Sequence, residues 1–333
     1  MNQIFELQAV DHIEFATRDL SVTEPLFHRL GFKTLKTRTL AERSLQSKLL
    51  GQNDIFIILS QSNDPNDPLS QFVRDHGDGV FAVTLKTNDC VSALEWAQAR
   101  GAIAVVSPKT VQKDSGSVTT ASVRGIGSTQ IQFLSREGSL FSEGFEFALR
   151  ESFPGFGLTH FDHFSIVVPS GHLKTYEDFL TSVLGMEKKN YNNSTPHKVF
   201  LKYRNFHIVL NEPDSPDSDL AKFIEGHHGA GFDHIAFGSK DLSTTLEQIQ
   251  RSQVPFRTPS PSYYQDLAGT RPDLKDQMGK ISKLNMVIHG SPDSQISQAA
   301  TQFIHGFWYF EFVERHHFEE LGTDAQKILI PQN

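Results

Sequence analysis

The feature that most constrains this chain is that its second half repeats its first. Residues 69–102 match residues 220–254 at a spacing of 151 positions, which becomes 152 after one inserted residue. VDHIEFATRDL and FDHFSIVVPSG align before this segment, and TQIQFLSRE and WYFEFVERH align after it. Self-similarity at a fixed period marks a duplicated structural unit. We therefore predict a tandem duplication with two domains, at residues 1–150 and 151–333.

Each half divides again into two units of one strand, one helix and three strands. HIEFAT and HIAFGS alternate apolar and polar residues, as half-buried strands do. Asp89 and Asp241 stand where the N-cap of the following helix is expected. The runs NDIFIILSQ, TTASVRG, KVFLKY and NFHIVLN are typical of strands. Four such βαβββ modules, paired into two curved sheets, predict an α+β fold of two half-barrel domains.

The composition of the chain argues against several classes of protein and several kinds of binding partner. Hydrophobic residues make up 38% of the 333 residues, which is ordinary for a globular protein. The net charge of -8 argues against a nucleic-acid partner, since such proteins carry a basic face. The single cysteine, Cys90, fits a reducing compartment. The chain shows neither a secretion signal nor an apolar run of membrane-spanning length, so we expect a cytoplasmic protein without a membrane partner.

The duplication also indicates a metal site in the second half. Three aligned positions carry metal-ligand side chains in the second copy, whereas the first copy keeps only one of them. The aligned pairs are His12 with His163, Ala82 with His234, and Gln132 with Glu311. Two imidazoles and one carboxylate form the facial triad of non-haem iron(II) oxygenases. We predict a metal site at His163, His234 and Glu311. We predict none in the first half, whose role would be structural, covering the C-terminal half-barrel.

Each of these residues also has an ordinary structural interpretation. A histidine at the start of a strand is usually exposed or hydrogen-bonded, and we interpret His316 and His317 in this way, although they follow the Glu311 strand closely. His12, without its partners, is interpreted as structural. Glu311 has aromatic neighbours that favour burial, and a buried carboxylate needs a partner or a metal. The hypothesis rests on the three positions together.

At these residues the sequence resembles the 4-hydroxyphenylpyruvate dioxygenase family and, more distantly, the vicinal-oxygen-chelate (glyoxalase-like) superfamily, over most of the chain. FDHFSIVV, HHGAGFDHIAFGSKDL and WYFEFVER resemble the family's three ligand segments, which implies His163, His234 and Glu311 as the ligands. FHIVLNEP resembles a family strand whose polar pocket residue would be Asn211. TPSPSYYQDL resembles its tyrosine-pair segment. KLNMVIH places Asn285 where the family has a glutamine on the strand before the glutamate, so Asn285 is the second expected substrate-binding residue.

The resemblance also implies the chemistry. The cofactor would be Fe(2+), and the partners would be an aromatic or related 2-oxo acid and dioxygen. The family decarboxylates and hydroxylates its substrate during tyrosine degradation. A homo-oligomer is expected from the resemblance alone. Besides Asn285, two further departures affect the substrate: His207 stands where the family has a small or basic residue, and RHHFEELGTDAQKILIPQN does not resemble the family's closing loop and helix. The gate over the substrate is therefore expected to be different or absent.

Several alternatives stay open at this point. A 4-hydroxymandelate synthase-like enzyme would use the same site and hydroxylate the benzylic carbon instead. An extradiol catechol dioxygenase would need an additional acid–base histidine or tyrosine near the metal, whereas SYYQDL and LNEP favour the first interpretation. A non-catalytic binding protein would keep the fold without turnover, and an isomerase or lyase of the same superfamily would need no dioxygen.

Overall fold

The computed structural model describes residues 5–146, 153–191, 195–204, 206–304 and 308–320. Its strands form two eight-stranded sheets, one in each half of the chain, and a two-stranded ribbon. None of the described helices combines the length and the apolar character needed to cross a membrane. The proposed boundary at residue 150 lies outside the described residues and stays a prediction.

In the first half the large sheet has the strand order β2-β3-β4-β1-β5-β8-β7-β6. Strands β9 and β10 form the ribbon. The strands are β1 (Leu7–Ala16), β2 (Lys33–Leu40), β3 (Leu45–Gln52), β4 (Ile55–Ser62), β5 (Gly79–Thr87), β6 (Ala104–Lys113), β7 (Gly116–Arg124), β8 (Gln130–Gly138), β9 (Leu140–Ser142) and β10 (Phe145–Glu146). The helices are α1 (Leu20–Arg29), α2 (Pro68–His76) and α3 (Cys90–Gln98).

The second half repeats this topology with the order β12-β13-β14-β11-β15-β18-β17-β16. The strands are β11 (Leu158–Val167), β12 (Glu187–Lys189), β13 (Lys198–Tyr203), β14 (Phe206–Asn211), β15 (Gly231–Ser239), β16 (Val287–Ser291), β17 (Ser294–Ala300) and β18 (Tyr309–His316). The helices are α4 (Leu173–Leu184), α5 (Asp219–Gly226), α6 (Leu242–Arg251), α7 (Pro261–Thr270) and α8 (Met278–Lys283).

The βαβββ order therefore occurs four times, and the predicted α+β class with two half-barrel sheets is confirmed. The two predicted caps are confirmed as well. Asp89 accepts hydrogen bonds from the N–H groups of Val91 and Ser92 at the start of α3. Asp241 accepts one from Thr244 at the start of α6. Each cap satisfies backbone donors that the first helical turn leaves without a partner.

Strand register places the aligned positions of the two halves at equivalent points. Each strand pair of the first sheet has its counterpart in the second. Glu14 lies opposite Ala82 in the first sheet, as Ser165 lies opposite His234 in the second. In the same way, Thr84 lies opposite Gln132 in the first sheet, as Ala236 lies opposite Glu311 in the second. The residue equivalences read from the repeat are therefore those of the fold.

Alternation along the strands gives the C-terminal sheet two different faces. The site face carries His163, His234 and Glu311, and the back face carries Phe237 and Phe310. Aromatic rings of the first half pack on the back face. Ring centroids are 5.4 Å apart for Phe27 and Phe310, 5.7 Å for Phe32 and Phe237, and 4.9 Å for Phe15 and Trp308. The first half therefore supports the site strands from behind, whereas we had expected it to cover the half-barrel.

Phe27 provides a test of this support. Its side chain is fully buried on α1, against both Phe15 and Phe310. We predict that Phe27→Ala lowers the free energy of unfolding by about 3–5 kcal/mol, the usual cost of deleting a buried aromatic ring. Chemical denaturation measures this change. The control is Val22→Ala on the same helix, where Val22 is 57% exposed, and an equal effect of both substitutions would contradict the prediction.

Candidate metal centre

The three predicted ligands come together on the site face. His163 Nε2 lies 3.2 Å from His234 Nε2 and 3.2 Å from Glu311 Oε2. His234 Nε2 lies 4.0 Å from the same carboxylate oxygen. Within the described part of the chain, this is the one group of three or more His, Cys, Asp or Glu side chains that is close enough to hold a metal ion. Strands β11, β15 and β18 are neighbours in the sheet, so their register creates the cluster.

An aspartate precedes each histidine and determines which ring nitrogen carries the proton. His163 Nδ1 lies 2.8 Å from Asp162 Oδ1, and His234 Nδ1 lies 3.1 Å from Asp233 Oδ2. Because a carboxylate only accepts hydrogen bonds, each Nδ1 is the donor and each Nε2 keeps its lone pair in the neutral ring. When both rings are neutral, the Nε2 lone pairs of His163 and His234 face each other 3.2 Å apart and no proton lies between them. A cation between the two nitrogen atoms satisfies both lone pairs. The donor set therefore fits a metal ion.

The carboxylates around His163 stabilise a positive charge at this ring, whether a proton or a metal ion carries it. Burial opposes its protonation, but the carboxylates of Asp162 and Glu311 raise the pKa of His163 to about 9. Burial would raise the pKa of Asp162, whereas its hydrogen bonds from Arg315, at 2.6 and 2.7 Å, and from His163 hold that pKa far below its usual range. The pKa of Glu311 is also lowered, against the effect of burial, mainly by His163. The cluster is thus a buried anionic site that attracts a cation.

Gln298 is a site residue that the sequence reasoning missed. It is buried on β17, and its amide Nε2 donates a 3.1 Å hydrogen bond to Glu311 Oε1. This strand directly precedes the glutamate strand. Our placement of Asn285 on that strand was wrong, because Asn285 lies in a left-handed turn (φ 54°) between α8 and β16. The role of Asn285 in substrate binding stays a prediction.

Asn211 lies at the end of β14, on the site face. It is buried, and its Nδ2 donates a 2.9 Å hydrogen bond to Ser165 Oγ. Ser165 stands opposite His234 in the sheet. The structure therefore places Asn211 near the metal ligands, and its contact with substrate stays a prediction.

His207 also lies beside the metal ligands, opposite His163 in the register of β14 and β11. Its Nδ1 donates to the Asp162 carbonyl at 3.2 Å, which leaves Nε2 as an acceptor. That Nε2 is enclosed and has no hydrogen-bond partner among the described residues. Burial lowers the pKa of His207 to about 4, so the ring is neutral at neutral pH. His207, which differs from the family's residue at this position, thus adds a hydrogen-bond acceptor next to the cluster of metal ligands.

The first half has the same framework of an aspartate, a histidine and an arginine, but different side chains surround its histidine. Asp11 contacts His12 Nδ1 at 2.7 Å and accepts two hydrogen bonds from Arg136, as Asp162 does from Arg315. His12 Nε2, however, meets the Thr84 hydroxyl at 3.2 Å, and that hydroxyl donates to Gln132 Oε1 at 2.9 Å. The Thr84 hydroxyl and the Gln132 amide stand where the second half has its cluster of ligands. That the first half binds no metal stays a prediction.

Two family models match most of the chain. The model described as "Hydroxyphenylpyruvate dioxygenase, HPPD, N-terminal" matches residues 2–145, and that of the "Glyoxalase/Bleomycin resistance protein/Dioxygenase superfamily" matches residues 160–279. The 4-hydroxyphenylpyruvate dioxygenase of Pseudomonas aeruginosa is 26% identical over 96% of this chain and 91% of its own length. The chain is therefore similar to the 4-hydroxyphenylpyruvate dioxygenase family over most of its length.

Two further comparisons agree with this similarity. Hemolysin VllY of Vibrio vulnificus is 26% identical over 96% of this chain and 92% of its own length. A variant 4-hydroxymandelate synthase from Streptomyces coelicolor superposes with a TM-score of 0.83 at 19% identity, covering 97% of each chain. At 19% identity, the superposition shows only that the two proteins share a fold. The segment where we expected a departure from the family spans residues 315–333, and residues 321–333 of it lie outside the described residues.

The duplication provides a matched test of the metal site. We predict that Glu311→Ala abolishes tight metal binding, because the cluster loses its carboxylate ligand. Gln132→Ala changes the equivalent position of the first half and is expected to leave metal content unchanged. Metal analysis after anaerobic loading with iron(II) measures both variants, with one ion per chain expected for the unmodified protein. Equal metal content in the two variants would place the metal elsewhere.

A second prediction concerns the framework of the first half. Burial would raise the pKa of Asp11, but His12 and Arg136 lower it to about 2. Because a depressed carboxyl pKa stabilises the folded state only above the unfolded value, this contribution is present above about pH 4 and disappears as the pH falls towards 2. We therefore expect the stability difference between the unmodified protein and Asp11→Asn to shrink by about 2 kcal/mol over that range.

Chemical denaturation between pH 2 and 7 measures this difference. The control is Asp178→Asn, because Asp178 is 61% exposed and its ion pair with Lys174 lies at the surface. Exposed ion pairs contribute little to stability. A difference for Asp11→Asn that does not change with pH would contradict the assigned pair.

Proposed function

We propose that this protein is an iron(II)-dependent dioxygenase that decarboxylates and hydroxylates an aromatic or related 2-oxo acid. The observation that supports this most is the His163, His234 and Glu311 cluster, with both imidazoles held in the tautomer that a metal requires. The similarity to the 4-hydroxyphenylpyruvate dioxygenase family supports the same chemistry. Two nitrogen ligands and one carboxylate are the donor set of non-haem iron(II) oxygenases. When bound, iron(II) would supply open positions for the 2-oxo acid and for dioxygen.

The residues of the chain prepare this site. Asp162 and Asp233 orient the two imidazoles, and Gln298 restrains Glu311 through its hydrogen bond. Such supporting contacts are worth about 10–100-fold in metal affinity or activity. His163 and Glu311 are 3% and 4% exposed, so the protein itself excludes bulk water from these two ligands. In this proposal Asn211 contributes a polar contact to the substrate on the site face.

Oxygen consumption tests the proposal. Protein loaded anaerobically with iron(II) is mixed with oxygenated buffer and a panel of 2-oxo acids that begins with 4-hydroxyphenylpyruvate. We expect oxygen uptake matched by carbon dioxide release, abolished in Glu311→Ala and retained in Gln132→Ala. Product analysis then separates ring hydroxylation from benzylic hydroxylation. Stoichiometric iron without uptake from any 2-oxo acid would reject the proposal.

His207 favours one alternative, an extradiol catechol dioxygenase. That chemistry needs an acid–base group close to the metal, and the enclosed His207 Nε2 is a neutral acceptor on the adjacent strand. The same oxygen measurement with catechols distinguishes the two functions. Ring cleavage of a catechol without decarboxylation of any 2-oxo acid, lost in His207→Phe, would establish the alternative. The yellow colour typical of ring-cleavage products gives a direct readout.

A further inference from the structure

Arg257 is a buried cation with no counter-charge among the described residues. Its side chain is 7% exposed and forms no ion pair or side-chain hydrogen bond within the part of the chain that the structure describes. Its Nη2 is enclosed and has no acceptor there. A buried charge is costly unless it is paired and hydrogen-bonded. Such an arrangement is expected where a ligand provides the missing anion.

Two aromatic rings hold the guanidinium in place. Its Cζ lies 3.9 Å from the centroid of the Phe303 ring and 4.0 Å from that of Tyr309. Cation–π contacts offset part of the desolvation, but they provide no acceptor for the N–H groups. Phe303 is 47% exposed, so the covered guanidinium lies close to solvent. The guanidinium is therefore both oriented and within reach of a ligand.

The position of Arg257 links it to the metal centre. The Tyr309 ring stacks on the imidazole of His234, with centroids 4.6 Å apart. Arg257 follows an isolated bridge between Phe256 and Thr301 and donates its backbone N–H to the Ala300 carbonyl at 2.9 Å. Because Ala300 ends β17, on the other side of β18 from β15, Tyr309 lies between His234 and Arg257. One aromatic ring thus separates the guanidinium from a metal ligand.

The acidic groups nearest to the centre are already engaged. Asp233 contacts His234 Nδ1, and Glu311 contacts His163 and Gln298. Neither forms an ion pair with Arg257 in the described structure. A substrate carboxylate bound at the His163, His234 and Glu311 cluster would lie on the opposite side of the Tyr309 ring. One carboxylate therefore does not serve both places.

We propose that Arg257 binds a second acidic group of the substrate, so that the natural substrate is a 2-oxo acid with a carboxylate at the end remote from its 2-oxo acid group. This inference rests on the proposed function for the identity of the first acidic group. The guanidinium provides two parallel N–H donors that match a carboxylate. The Tyr309 and Phe303 rings flank the chain or ring that connects the two acidic groups. Arg257 is then a specificity residue and not a ligand of the metal.

The test compares probes that differ by one charge. The first pair is 4-carboxyphenylpyruvate and its ring amide, 4-carbamoylphenylpyruvate, and the second is 2-oxoglutarate and its terminal amide. Isothermal titration under anaerobic conditions measures their binding to iron(II)-loaded protein. The variants are Arg257→Met, which removes the charge at similar volume, and Arg257→Lys, which keeps it. Arg251→Met is the control, because Arg251 is 78% exposed.

We expect the unmodified protein to prefer the acid in at least one pair by about tenfold or more, the ratio typical of a charge-assisted hydrogen bond in a buried site. The preference should fall to about one in Arg257→Met, persist in part in Arg257→Lys, and remain unchanged in Arg251→Met. Thermal melting of each variant confirms that it is folded. Retention of the acid preference in Arg257→Met, or no preference in the unmodified protein, would overturn the proposal.

The binding measurement is independent of turnover. An acid preference that disappears in Arg257→Met while no 2-oxo acid supports oxygen uptake would uphold the anion site and reject the proposed function. Oxygen uptake with 2-oxo acids, without any acid preference, would uphold the function and reject the anion site. Equal binding of acid and amide with equal loss of both in Arg257→Met would show that the arginine serves only to pack the two rings.

Discussion

The site depends on two hydrogen bonds between neighbouring residues, in which Asp162 and Asp233 each hold the Nδ1 proton of the histidine that follows. Without them either imidazole can turn or change its tautomer, and the Nε2 lone pairs no longer converge on one point. The first of these bonds is itself held by Arg315, which uses two donors on Asp162. A buried carboxylate, a partly exposed guanidinium and an imidazole therefore restrain one another, and this network positions His163 as a ligand.

The first half carries the same Asp–His–Arg arrangement but lacks the second histidine and the carboxylate of the cluster. Asp11, His12 and Arg136 repeat the arrangement of Asp162, His163 and Arg315. Their centre is closed by the Thr84 hydroxyl, which lies 3.2 Å from His12 Nε2 and donates its proton to Gln132 Oε1. The difference between the halves lies in side chains that replace ligands, while the strands and their register stay the same. The first half retains a physical role through the aromatic contacts that it makes behind the site strands.

Four enclosed polar atoms of the second half have no hydrogen-bond partner among the described residues, and a substrate could provide these partners. The carbonyl oxygen of Gln298, one oxygen of Asp233 and Nε2 of His207 are enclosed acceptors, and Nη2 of Arg257 is an enclosed donor. Buried polar atoms are nearly always hydrogen-bonded in folded proteins, so these four atoms call for partners that the described residues do not provide. The cluster of His163, His234 and Glu311 lies among them. A substrate with hydroxyl and acidic groups would complement these atoms better than an apolar one.

The sequence by itself determined the duplication, the order of the four modules, the two helix caps and the three residues that the sheet brings together. These features are local or periodic, and comparison of the halves identifies the positions at which ligand-type side chains differ. Only the tertiary structure decided the remainder of the site. Gln298 reaches Glu311 from the neighbouring strand, His207 lies beside His163 across a gap of 44 positions, and Arg257 approaches Tyr309 from another segment. Strand pairing between residues so far apart in the sequence depends on how all the elements pack together, so a short motif does not predict it.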